Sequence, residues 1–199
     1  MHYINRCFLF FIATISVGSL YGQDDSYRKL PLSDMSDFKS QAGNWQIVGD
    51  VIMNPTVDIH EHHEPSAPEK KKKKDKALPS SEKPQAVTFE PGSGILLNIN
   101  SDSKRDNLVS AFEHGDIELE FEVMLPKGSN SGIYMQGRYE VQLFDSWGVK
   151  DPAFSDIGGI YRNWENTPGK SYAGKAPLSN PAKAPGLWQK MKISFKAPR

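Results

Sequence analysis

The chain is 199 residues long, with 24 Lys and Arg against 24 Asp and Glu. Such a length bounds it to about one domain, and the charge balance removes the electrostatic reason for nucleic acid or an anionic membrane as a partner. A hydrophobic share of 38% and an aromatic share of 11% can support a packed core, while 16 Gly and 14 Pro favour turns over long helices.

Residues 1–22 read as a secretion signal. Arg6 supplies a basic start, Cys7 to Val17 an apolar run, and Gly18, Ser19 and Gly22 the small residues, followed by the acidic Asp24 and Asp25. The run is shorter than the roughly 20 apolar residues of a membrane span. Cleavage after Gly22 is expected, giving a secreted or periplasmic protein without stable membrane insertion; a retained anchor is the alternative. Cys7 is the only cysteine. It sits at the start of the run rather than its end, so lipid attachment is not expected. A chain beginning after Gly22 has neither thiol nor disulfide and relies on its core.

From there a domain is expected over residues 30–199, built of short alternating segments between turn residues, the pattern of an all-β protein. NWQIV (44–48) and GILLNI (94–99) are the first strand candidates. Between them, residues 54–86 are rich in Pro, Glu, Lys and Ser and poor in core residues, which predicts a disordered insertion. Its Lys70–Lys74 run reads as solvated rather than as a polyanion site. Its His60, Glu61, His62, His63 and Glu64 have metal-ligating chemistry, but no rigid scaffold to orient them.

DIELEFEV (116–123) alternates without a fault, with Ile117, Leu119, Phe121 and Val123 on one face and carboxylates on the other. WQKMKISFK (188–196) does the same with Met191, Ile193 and Phe195 inside and Lys190, Lys192 and Lys196 outside. The two charged rows invite cross-strand pairing on a solvent-facing sheet, worth roughly 0.2–1 kcal/mol per pair.

Residues 133–143 also alternate, read as one strand. Here the even row is Tyr134, Gln136, Arg138, Glu140 and Gln142, and the odd row is Ile133, Met135, Tyr139, Val141 and Leu143. A row of mixed donors, acceptors and rings suits hydroxyl recognition better than a uniform row of carboxylates does. The long segment 149–186 adds Tyr161, Trp164 and Tyr172 with Arg162, Asn163 and Glu165 among many Gly and Pro. Rings stack on sugar faces and the polar groups bond hydroxyls. The alternative is a structured loop whose aromatics fill a satellite core.

Three pieces carry a family resemblance: GDIELEFEVMLPKGSNSGIYMQGRYEVQLFDSWG (115–148), SDIGGIY (155–161) and GKAPLSNPAKAPGLWQKMKISFKAPR (174–199). In order and spacing they resemble the 3-keto-disaccharide hydrolase domain family over roughly Phe38 to the C-terminus. The resemblance implies a concanavalin A-like jelly-roll β-sandwich of two antiparallel sheets. It also implies that the chain stops short of several strands, and that the insertion at 54–86 is an addition to the usual domain.

The activity implied is that of a secreted carbohydrate-active hydrolase, cleaving glycosides oxidised to a ketone at carbon 3 or hydrating their products. A 3-keto group acidifies the hydrogen on carbon 2. A base removes that proton, the substituent at carbon 1 leaves, and water adds back. In that scheme Glu140 is the candidate base, Arg138 the group that stabilises oxyanion charge, and Asp145 an acid, base or metal ligand. Tyr134, Gln136, Gln142, Tyr161 and Trp164 are the candidate sugar contacts. For Asp145 to reach the even face, a bulge or strand end must fall near Phe144.

No cofactor is demanded, although a divalent metal ion is compatible with these groups. The partner is a carbohydrate, an oxidised glycoside. Three alternatives stand beside this scheme: the ordinary two-carboxylate glycosidase mechanism, a lectin-like binding module without turnover, and a structural role for an Arg138–Glu140 ion pair with Asp145 capping a turn.

Overall fold

The structure, a computed structural model, describes the backbone of residues 9–19 and residues 28–39, 43–59, 85–101, 103–163 and 172–199. Eight strands are named: β1 (Leu9–Ser19), β2 (Arg28–Leu30), β3 (Trp45–Met53), β4 (Val87–Ile99), β5 (Ile117–Met124), β6 (Asn130–Met135), β7 (Tyr139–Phe144) and β8 (Gln189–Phe195). Every pairing is antiparallel. The larger sheet runs β3-β4-β1-β5-β8 with β2 against β1, and the smaller is the β6-β7 hairpin.

The period-2 pattern of each strand explains how the sheets pack. Leu96, Ile117, Phe121, Val123 and Ile193 from the larger sheet share one buried cluster with Met135, Val141 and Leu143 from the hairpin. Two antiparallel sheets therefore enclose a common core, the arrangement of a β-sandwich. Fully burying each such side chain contributes about 1.5–3 kcal/mol, several times a surface charge pair.

The charged rows meet as their sequences predict. In the β5–β8 register Glu120 faces Lys192 and Glu122 faces Lys190. Lys192 Nζ lies 2.9 Å from Glu118 and 3.2 Å from Glu120, and Lys190 lies 3.9 Å from Glu122.

Leu97 neighbours Leu96 and so points to the opposite face, where a second cluster forms with Val48, Val51 and Met124. The start of the segment expected to be disordered is ordered instead. Val57 and Ile59 are buried, the Ile59 N–H donates to the Lys127 carbonyl at 3.1 Å, and Asn54 Oδ1 accepts from the Thr56 N–H. Residues 60–84 of that insertion, the His60–Glu64 group and the Lys70–Lys74 run included, lie outside the described residues.

The apolar run expected in a secretion signal overlaps β1. The β1 backbone pairs with β4 over residues 9–13 and with β5 over residues 11–19, apart from a break in register after Ala13. Residues 1–8 and 20–27 lie outside the described residues.

Candidate active site

Residues 133–143, expected as one strand, form a hairpin instead. Gln136 and Gly137 have φ of 53° and 66°, and the Arg138 N–H donates to the Met135 carbonyl at 3.1 Å. Three residues, 136–138, connect the paired Met135 and Tyr139; the positive φ at the first two matches the twist of the flanking strands, and a glycine at the second accepts it freely. The register sets Tyr134 opposite Glu140 and Gly132 opposite Gln142. The turn thus keeps the even row on one face but divides it between two strands. The odd residues Met135, Val141 and Leu143 are in the core, so the even row looks away from it.

Along that face Tyr134 donates its hydroxyl to Glu140 Oε2 at 2.8 Å. Tyr134 is 51% exposed, while Gln142 is only 1% exposed. The row therefore runs from open to closed. Gln142 donates through Nε2 to Asn130 Oδ1 at 2.8 Å, and Gln142 Oε1 and Ser129 Oγ are buried without a hydrogen-bond partner. The phenol of Tyr134 is held well above the usual tyrosine range, first by burial and then by its bond to the Glu140 carboxylate, with Tyr161 and Tyr172 adding to the effect. Tyr134 is consequently a neutral donor throughout the physiological range.

The segment after Ala153 completes this sheet. Gly158 N–H donates to the Gln142 carbonyl, Gln142 N–H to the Gly159 carbonyl and Tyr161 N–H to the Glu140 carbonyl, each at 2.9 Å. Ile160 bridges both Val141 and Lys175. Ile157 is buried in the core and Ile160 packs against it, which fixes Tyr161 beside Glu140. The Tyr161 ring meets Phe154 edge-on, and Arg162 lies over the far partner, Phe154, at 5.4 Å. In this region Ile157 and Ile160 join the core, while the Tyr161 backbone pairs with that of Glu140 and its ring packs on Phe154.

The other expected site residues are placed differently. Arg138 ends the hairpin turn with its guanidinium over the Tyr139 ring at 5.7 Å, and Tyr139 stacks on Tyr172 on the odd side. Gln136 sits at the apex of the turn, exposed, with Nε2 3.5 Å from the His114 carbonyl. The strand ends at Phe144, near the break expected there. Asp145 then spends both carboxylate oxygens on backbone donors, the Gly128 N–H at 2.9 Å and the Trp147 N–H at 3.4 Å. That is a turn cap. Trp164 lies outside the described residues. Among the described residues no group of three His, Cys, Asp or Glu side chains is placed to hold a metal ion.

Asn130, Gly132 and Tyr172 were not singled out as site residues from the sequence. The first two share the even parity of Tyr134, and a glycine inside a strand is itself a signal of close approach.

Fold and site together define an all-β sandwich carrying a carboxylate, a phenol and buried amides on the outer face of its smaller sheet. The chain belongs to the family of 3-keto-alpha-glucoside-1,2-lyase-like domains, whose model matches residues 68–199. That name places the family with hydrolase- or lyase-type chemistry on 3-keto-glucosides. Neither the curated proteins nor the solved structures contain a match to this chain.

Proposed function

We propose that this protein is an exported carbohydrate-active enzyme that cleaves 3-keto-glycosides by elimination, with Glu140 as the base. The observation that carries the reading is the Glu140 carboxylate on the outward face of β7, bonded at 2.8 Å to a phenol that stays protonated. The family membership supplies the substrate class.

The chemistry follows from those two groups. Glu140 accepts the proton from carbon 2, which the neighbouring ketone has acidified. The electron pair of that C–H bond becomes the carbon 1–carbon 2 double bond, and the carbon 1–oxygen bond breaks with its pair leaving on the glycosidic oxygen. That oxygen needs a proton, and the enolate oxygen needs a donor as charge builds on it. Tyr134, a neutral donor adjacent to Glu140, suits either role. In a hydrolase, water then adds across the double bond and restores the 3-keto sugar. Tyr161 flanks the site as a sugar contact, and the buried, unpartnered Gln142 Oε1 is an acceptor for a water.

Export through the N-terminal segment belongs to the same reading. The same residues cannot be both a removed signal and the β1 strand, so the mass of the exported protein decides between these two fates.

The direct test is to incubate the full chain with an aryl 3-keto-glucoside and with its unoxidised parent, and to follow release of the aryl alcohol. Release from the ketone alone supports elimination. Release from both at similar rates indicates the two-carboxylate glycosidase mechanism instead. Binding without release makes the protein a lectin-like module and overturns the enzyme reading.

A further inference from the structure

Within the β6–β7 hairpin, one residue has a side-chain requirement that its own backbone does not explain. Gly132 lies inside β6, and its φ is outside the left-handed region. Any residue can adopt such a backbone. The space above it, however, is taken. A Cβ built on Gly132 would stand 2.6 Å from Cγ and 2.9 Å from Cδ of Glu140, and closer still to Oε1. Glu140 is diagonal to Gly132 on the same face, directly opposite Tyr134. Its side chain therefore folds down across β6 into the notch left by the missing Cβ, while its other oxygen is held by the Tyr134 hydroxyl.

We infer that Gly132 and the Tyr134 hydroxyl act as a pair of positioning residues that fix the direction of the Glu140 carboxylate, Gly132 by leaving room for it and Tyr134 by holding it there. The inference deepens the proposed function and rests on it for its activity readout. The three atoms nearest a methyl at position 132 all belong to the flexible Glu140 side chain, so the fold tolerates it and the carboxylate swings out instead. Swinging out breaks the bond to Tyr134. The two groups thus act through one shared contact, and their effects are not additive. A carboxylate that loses a hydrogen-bond donor also becomes easier to protonate.

The test compares the full chain with Gly132→Ala, Tyr134→Phe and the double variant. The side-chain carboxyl carbon of Glu140 is followed by NMR in protein with labelled glutamate, its signal assigned by loss in Glu140→Gln. The expected result is that Gly132→Ala raises the Glu140 titration midpoint, that Tyr134→Phe raises it to a similar level, and that the double variant adds nothing. Circular dichroism melting of Gly132→Ala stays close to the wild type, whereas kcat/KM on the 3-keto-glucoside falls about 10²-fold, as expected for a misplaced catalytic group. An unchanged Glu140 signal and midpoint in Gly132→Ala overturns the inference, and so does an additive double variant. If the wild type shows no turnover, the proposed function fails, while the titration still decides whether Gly132 positions the carboxylate.

Discussion

The β5–β8 face and the β6–β7 face begin from the same pattern, strict alternation with charge or polarity on one side, and end as different surfaces. On β5 the three glutamates 118, 120 and 122 face Lys190 and Lys192 across the strand boundary, at 2.9 to 3.9 Å. Glu120 and Glu122 have their opposite charges in register and Glu118 reaches Lys192 diagonally, in surface pairs that contribute about 0–1 kcal/mol. On β7 the carboxylate of Glu140 accepts from a neutral phenol and folds over a glycine. Alternation marks a face; the identity of the cross-strand partner marks a site.

Four changes break or sharpen that contrast, taken from the largest effect. Leu143→Ala empties a fully buried position beneath the hairpin and should cost about 2–5 kcal/mol in denaturant unfolding, removing activity with the fold and showing that the face depends on the core behind it. Tyr134→Phe removes one hydrogen bond to a charged group, about 1.5–3 kcal/mol. It should lower kcat/KM by roughly tenfold or more, with the acid limb of the pH profile moved to higher pH. Lys192→Ala removes the partner of two glutamates but should change stability by no more than about 1 kcal/mol and leave turnover unchanged.

The smallest effect is the alkaline one. The Tyr134 phenol is raised in the folded state, so the unfolded chain loses that proton first, at about pH 10. The stabilisation is complete below that pH and declines as pH rises above it. Thermal melts above pH 10 should show the wild type losing stability faster than Tyr134→Phe, with the effect reduced because the ring is half exposed.

Much of the fold could be read in the residues themselves. DIELEFEV and QKMKISF state their inner rows outright, and their charges name each other as neighbours. The hairpin was harder. Gln136-Gly137 is a turn signal, but the even–odd alternation runs through it without interruption, because the three residues between Met135 and Tyr139 preserve parity. The polar row was legible for the same reason, while its division between two strands was not.

Asp145 illustrates the limit on reading roles. Nothing in its spacing tells whether a carboxylate beyond a strand end faces a substrate or caps a turn; that depends on the Gly128 and Trp147 amides closing on it. Gln136 and Gln142 have the same side chain on the same row, yet one is at an exposed apex and the other is buried. Gln142 lies on a strand that residues 158–161 pair with and bonds Asn130, whereas Gln136 stands at the hairpin apex.

The most direct measurement sets Glu140→Gln beside Glu120→Gln, in aryl alcohol release from a 3-keto-glucoside with melting curves for both. The account predicts that Glu140→Gln falls about 10²–10⁴-fold in turnover, the contribution of a general base, while melting with the wild type, and that Glu120→Gln keeps full turnover. Full activity in Glu140→Gln, or an equal loss in both variants, would contradict it.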